Sequence, residues 1–233
     1  MTLIICAIKP EVKPFLYALE NAKTEKCASL KVSSGTIQGE NVLVVRCGVG
    51  LKKAAAATQK IIENYSVDRV VMSGTAGGVD GNLKIGDTVV SEEVLYHDTG
   101  RIAPYGADII SEDTSFKTEG ELLLHAKRAA GNESLSQSIF FGRITSGSKF
   151  ATGKYFRSVA DKFHPLCLDM ETAAAAHVCC ENNIPFIAVR SISDTVEKSG
   201  LLTFYKNVTL ASENSFSFVE KLLIELSGLD RDL

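Results

Sequence analysis

Short apolar runs recur along this chain of 233 residues. Between them lie stretches whose apolar side chains return every three or four positions. That alternation constrains the fold more than any other feature. LIICAI, DRVVMSG, DTVVSEEVLYHD, IFFGRITSG, LCLDM and IPFIAVRSISD read as strands, several with no polar face, as expected of strands covered on both sides. LKKAAAATQKIIENY places Ala54, Ala57, Ile61 and Ile62 on one helical face. Residues 11–21, EGELLLHAKRAAG, KYFRSVADKF, ETAAAAHVCCENN and LASENSFSFVEKLLIELSG also read as helices. KVSSGTIQGENVLVVRCG reads as a hairpin turning at Gly39, Glu40 and Asn41. The expectation is an α/β fold: a mixed, mostly parallel central sheet flanked by helices in three layers. Residues 99–115 have no period and carry Gly and Pro, and they read as a loop or lid. No linker, repeat or low-complexity segment divides the chain, so residues 1–233 are expected to form a single domain.

Composition narrows the partners. Net charge is −3 with mixed signs, which argues against nucleic acid or an anionic membrane. The opening MTLIICAIKPEV has no basic lead and too short an apolar run for a signal peptide or a span. Cysteines at 6, 27, 47, 167, 179 and 180 form no CxxC pair and several lie in apolar runs. They read as reduced thiols of a cytoplasmic protein.

In an α/β sheet, ligands bind beyond the carboxyl ends of strands. The residues there are Lys9, Pro10 and Glu11; Gly48, Val49 and Gly50; Ser73 to Gly78; Ser146 to Phe150; Met170 and Glu171; and Arg190, Ser191, Ser193 and Asp194. Acids, an arginine, hydroxyls, glycines and an aromatic around one crevice suit chemistry on a sugar. Cleaving a ribosyl bond passes through an oxocarbenium-like state, which calls for an acid at the leaving group and a base at the water. A third carboxylate accepts from a vicinal diol. Two other motifs fail: GSKFATGKY misses P-loop spacing and has Tyr155 where Ser or Thr is needed, and CGVGLKK lacks the third glycine of a dinucleotide fingerprint. His97 and Asp98 have no partner spacing for a metal site, and Asp169 reads as a structural salt bridge or cap.

SGTAGG (73–78), SGSKF (146–150), DMETAAAAHVC (169–179) and VRSISD (189–194) together resemble the signatures of the nucleoside phosphorylase/nucleosidase superfamily, most of all the 5'-methylthioadenosine/S-adenosylhomocysteine nucleosidases. The similarity runs from residue 3 to about residue 225. It implies a nucleoside phosphorylase-like sheet, a purine nucleoside substrate, water as co-substrate, a homodimer, and neither metal nor organic cofactor. By position, Glu11 matches the acid that activates water and Asp194 the acid that protonates the purine at N7. Glu171 matches the acid that binds the ribose hydroxyls, with Met170 packing under the sugar and Arg190 near the water. Thr75 matches a hydroxyl residue lining the ribose site. Phe150 matches the purine-stacking aromatic, and Ala151 offers backbone to the adenine edge. Ile8, Val49 and Phe204 match apolar positions around the sugar and 5'-group. The segment 99–120 and Ser148 depart from the family pattern, which bears on the 5'-substituent.

The superfamily contains hydrolases and phosphorylases. Met72 stands where phosphorylases typically carry a phosphate-binding arginine, and AIKPEV supplies a carboxylate that would repel phosphate. Hydrolysis is therefore the expected reaction. The rival readings are a purine nucleoside phosphorylase and a non-catalytic nucleoside-binding protein.

Overall fold

The structure, a computed structural model, describes residues 1–98 and 115–228. The first half runs β1 (Thr2–Cys6), α1 (Lys9–Ala18), β2 (Glu20–Cys27), β3 (Leu30–Ile37), β4 (Glu40–Arg46), α2 (Leu51–Asn64), β5 (Arg69–Gly78) and β6 (Thr88–Tyr96). Then come β7 (Ser115–Lys117), α3 (Gly120–Ala130), β8 (Ile139–Ser146), α4 (Gly153–Phe163), β9 (Cys167–Asp169), α5 (Thr172–Glu181), β10 (Phe186–Thr195) and α6 (Leu201–Ser227). The stretch read as a loop or lid lies outside the described residues apart from Ser115, which opens β7.

The strands join one mixed sheet in the order β10-β6-β8-β9-β5-β1-β4-β3-β2, with β7 on β6. Parallel pairings run through β4, β1, β5 and β10, and through β6, β8 and β9. β10 also pairs with β5, so β5, β10, β6, β8 and β9 close into a ring. Closure hides strand edges and directs side chains from strands of both senses toward one mouth.

The apolar runs are buried on both faces, as their lack of alternation requires. Leu3 and Ile5 join a core with Ala54, Ala57, Ile61 and Ala173 to Ala176, under α2 and α5. Ile4 and Cys6 join the opposite core with Phe15, Leu122, Phe218 and Leu222, under α1, α3 and α6. A smaller cluster of Ala151, Phe156, Val159 and Leu168 seats α4 against the ring. Among the described residues no helix is long and apolar enough to cross a membrane.

Several boundaries differ from the sequence reading. The first helix stops at Ala18, not Asn21, because Leu19 is extended (φ −66°, ψ 119°) and Glu20 starts β2. β2 carries no apolar period since it is an edge strand exposed along nearly its whole length. The hairpin turns at Gln38 and Gly39, both at positive φ (50° and 75°), as a two-residue turn between right-twisted strands prefers. The last helix begins at Leu201, well before the LASENSF stretch. Its first turns leave Leu201, Leu202 and Tyr205 exposed, which blurs the amphipathic signature there.

Phe218 is fully buried where α6 meets the sheet. Phe218→Ala is expected to lower unfolding free energy by about 3–5 kcal/mol in urea titration. The same change at the half-exposed Leu124 should stay within about 0.5 kcal/mol.

Candidate active site

The ends of β1, β4, β5, β9 and β10 and the start of α6 enclose a cavity of about 490 Å³, a size ordinary for a small-molecule site. Glu11, Asp194, Thr75, Phe150, Ala151, Met170, Glu171, Ile8, Val49 and Phe204 all contribute to its wall. Arg190, placed by the sequence reading among the binding residues, is absent from that wall. It lies fully buried beneath it.

Glu11 is the third residue of α1, and its carboxylate turns back over the helix start. Oε2 accepts the N–H groups of Ala7 (2.9 Å) and Ile8 (3.1 Å), while Oε1 accepts Thr75 N–H and Oγ–H, both at 2.9 Å. A helix-capping acid and a cavity acid are here the same residue. Gly74 permits this closeness: a Cβ there would lie 2.5 Å from Arg190 Nη1 and 2.7 Å from Glu11 Cδ.

Asp169 is the hub of the floor. It accepts from Ser146 Oγ, Thr172 Oγ and the N–H groups of Glu171 (3.2 Å) and Thr172 (3.1 Å) at the start of α5. It also pairs with Arg190 Nε at 2.7 Å, so cap and salt bridge coincide. Arg190 Nη2 lies 3.9 Å from Glu171 Oε2, and neither Nη atom has a hydrogen-bond partner among the described residues. Glu171 itself accepts Gly50 N–H at 2.7 Å, tying the β4–α2 turn to the β9–α5 corner.

β9 runs antiparallel to β5, pairing Leu168 with Gly77, so Asp169 and Glu171 arrive from the direction opposite to Thr75. On the other side of β5, Gly77 pairs with Asp194 across a bulge that leaves Ser193 unpaired. The bulge re-aims Asp194 into the cavity, and Ser193 Oγ donates to Asp194 Oδ1 at 2.8 Å.

With this geometry in view, a family model described as "Phosphorylase superfamily" matches residues 2–224. A 5'-methylthioadenosine/S-adenosylhomocysteine nucleosidase of Colwellia psychrerythraea is 36% identical, with 97% of this chain and 96% of the relative covered. One from Bacillus cereus is 32% identical over 96% of this chain and 98% of its own. The chain belongs to the phosphorylase superfamily, in its 5'-methylthioadenosine/S-adenosylhomocysteine nucleosidase family. The solved Colwellia nucleosidase in complex with adenine superposes on this superfamily member with a TM-score of 0.90 at 33% identity, covering 97% of this chain and 95% of that one.

Electrostatics separate the acids of this superfamily member. Burial pushes the Asp194 carboxyl up to about 6, against the Ser193 hydroxyl and the Gly200 N–H, which hold it down. Burial, then repulsion from Asp169, raises Glu171 above the usual carboxylate range, while Arg190 opposes the shift. Burial alone would lower Arg190, but Asp169, Glu11 and Glu171 outweigh it and keep the guanidinium charged. Sequence reasoning missed Leu201, Tyr205 and Val208 of α6, and Phe156 of α4, as cavity lining. The missed start of α6 hid the first group; the spacing Leu201, Phe204, Tyr205, Val208 on one helical face was the available signal.

A raised carboxyl favours the folded state only while it is protonated. Its stabilising contribution is present below about pH 4 and is lost as pH rises through about 6. Asp194→Asn is therefore expected to be more stable than the parent at pH 8, by roughly 1–3 kcal/mol, with the difference vanishing toward pH 4. Urea titrations at the two pH values check this.

Proposed function

We infer that the chain hydrolyses the N-ribosidic bond of 5'-substituted adenosines, 5'-methylthioadenosine and S-adenosylhomocysteine, releasing adenine and a 5'-thioribose. The observation that carries hydrolysis over phosphorolysis is charge. Glu11, Asp169, Glu171 and Asp194 line the cavity, and Lys149 is the one cationic side chain among its described lining residues. Arg190 is already engaged by Asp169. A phosphate dianion entering there meets net repulsion, whereas water does not.

Each group then has a task. Asp194, near half-protonated at pH 6, delivers a proton to purine N7 as the bond breaks. Three of Glu11's four donors are backbone N–H groups, and the fourth is the rotatable Thr75 hydroxyl. Rotation of that hydroxyl frees Oε1 to take a proton from water. Glu171 accepts from the ribose diol, and Met170 packs under the sugar. Phe150 stacks on the purine, braced edge-to-face by Phe204 with centroids 6.0 Å apart. The backbone at Ala151 meets the adenine edge. Ile8 and Val49 flank the sugar and 5'-group. No metal and no organic cofactor enters these steps. The working unit in this reading is a cytoplasmic homodimer. Light scattering should then give about twice the 25.1 kDa chain mass.

Incubation with 5'-methylthioadenosine should release adenine and free 5-methylthioribose at a rate indifferent to added phosphate. A sugar 1-phosphate product, or dependence on phosphate, overturns the reading. Binding without release of adenine would instead support a nucleoside-binding protein. Asp194→Asn and Glu11→Gln should each lower kcat by about 10²–10⁴-fold. In the parent, kcat/KM should decline above about pH 6, as the protonated fraction of Asp194 falls.

A further inference from the structure

We propose that Asp98 is a positioning residue for base recognition, holding in place the loop that carries Lys149, Phe150 and Ala151. The inference rests on the nucleosidase reading of the cavity and adds a residue outside it.

β6 and β8 pair in parallel up to Tyr96 and Ser146, and the His97 N–H extends the ladder to the Ser146 carbonyl at 3.0 Å. The chain then leaves β8 under three restraints. Ser146 Oγ donates to Asp169 and accepts Ala173 N–H at 2.8 Å. Gly147 N–H reaches the Asp169 carbonyl at 3.1 Å. Asp98 Oδ2 accepts both the N–H (2.5 Å) and the Oγ–H (2.6 Å) of Ser148.

Gly147 is required by packing, not by its dihedrals. The His97 ring lies against it, and a Cβ would come 2.1 Å from His97 Nε2. His97 itself is wedged between Gly147, Tyr155 and Phe163, with ring centroids 5.9 and 6.4 Å away. Asp98 is thus presented from a rigid strand end, one residue beyond a packed side chain.

Past Ser148 the segment is held by side-chain packing, Ala151 against Phe156, Val159 and Leu168, and Phe150 against Phe204. No backbone hydrogen bond to another described residue holds Lys149, Phe150 or Ala151, and α4 begins only at Gly153. All three line the cavity. Their N–H and C=O groups, without a backbone partner among the described residues, suit the edge of a base, and such backbone is useful only if it stays put. The Asp98–Ser148 pair is the last anchor before that segment. A two-point, charge-assisted grip restrains both position and rotation of the turn. Ser148 supplies a second donor to that grip, which an acidic residue at the same position would not.

Adenine binding reads the loop without chemistry. By calorimetry, Asp98→Ala should weaken adenine about five- to tenfold, the range for an exposed charge-assisted pair. KM for 5'-methylthioadenosine should rise by a similar factor while kcat falls less than about threefold and its pH profile keeps its shape. Ser148→Ala should show a smaller effect that is not additive with Asp98→Ala, and Asp98→Asn, which retains an acceptor, should recover part of the loss. Unchanged adenine affinity in Asp98→Ala, or a loss confined to kcat, overturns the proposal. Should Asp98→Ala fold poorly, additive effects in Ser148→Ala and Asp98→Asn overturn it instead. Failure of the parent chain to bind adenine would count against the nucleosidase reading itself, which separates the two.

Discussion

The fully buried Arg190 guanidinium, and the carboxylates arranged around it, set the terms for the rest of the site. An arginine with no exposed surface costs several kcal/mol to desolvate, and the structure meets that cost with geometry. Asp169 binds Nε at 2.7 Å and is itself held by hydroxyls and by the first N–H groups of α5. Glu11 and Glu171 lie close enough to favour the positive charge. The converse matters as much. Without the guanidinium, three carboxylates gathered beneath one cavity would repel each other. Arg190 thus makes a cluster of acids tolerable from beneath the cavity wall.

Bringing those acids together falls to the closed ring of β5, β10, β6, β8 and β9. In a wholly parallel sheet, functional residues arrive at one edge from one direction. Here β10 delivers Asp194 alongside Gly77 in the parallel sense, while β9 delivers Asp169 antiparallel on the other side of β5. The SGTAGG segment is the common partner of both. Its glycines keep it thin enough for Arg190 and Glu11 to pass close by at Gly74. The bulge at Ser193 completes the arrangement, since an unbroken ladder would not turn Asp194 inward in the same way.

Much of this was legible in the residues, for an identifiable reason. Strands buried on both faces leave continuous apolar runs, and polar groups placed directly after such runs stand out. Glu11, Glu171, Asp194 and Phe150 stood out that way, and all four line the cavity. What escaped lacked that contrast. β2 is solvated on both faces and reads as polar coil. The first turns of α6 also carry the outward-facing Leu202, which masks the cavity-facing stripe of Leu201, Phe204, Tyr205 and Val208. Arg190 follows an apolar run as the others do, yet its side chain is fully buried and lies outside the cavity wall. The Asp98–Ser148 grip joins residues fifty positions apart. No periodicity marks such a pair.

The alanines of α5 show how packing and electrostatics are one problem here. Ala173 to Ala176 are all buried, between the sheet and α2. Larger side chains would push the helix away from β9, and the start of α5 would move with it. That start is where the N–H groups of Glu171 and Thr172 meet Asp169, and where the positive end of the helix faces a carboxylate. Moving it outward would lengthen those bonds, loosen Asp169 from Arg190, and draw Glu171 away from Gly50. Small residues in the helix body therefore fix the position of charges one turn away. An acid placed where a buried strand becomes a buried helix is held there by what the helix leaves out.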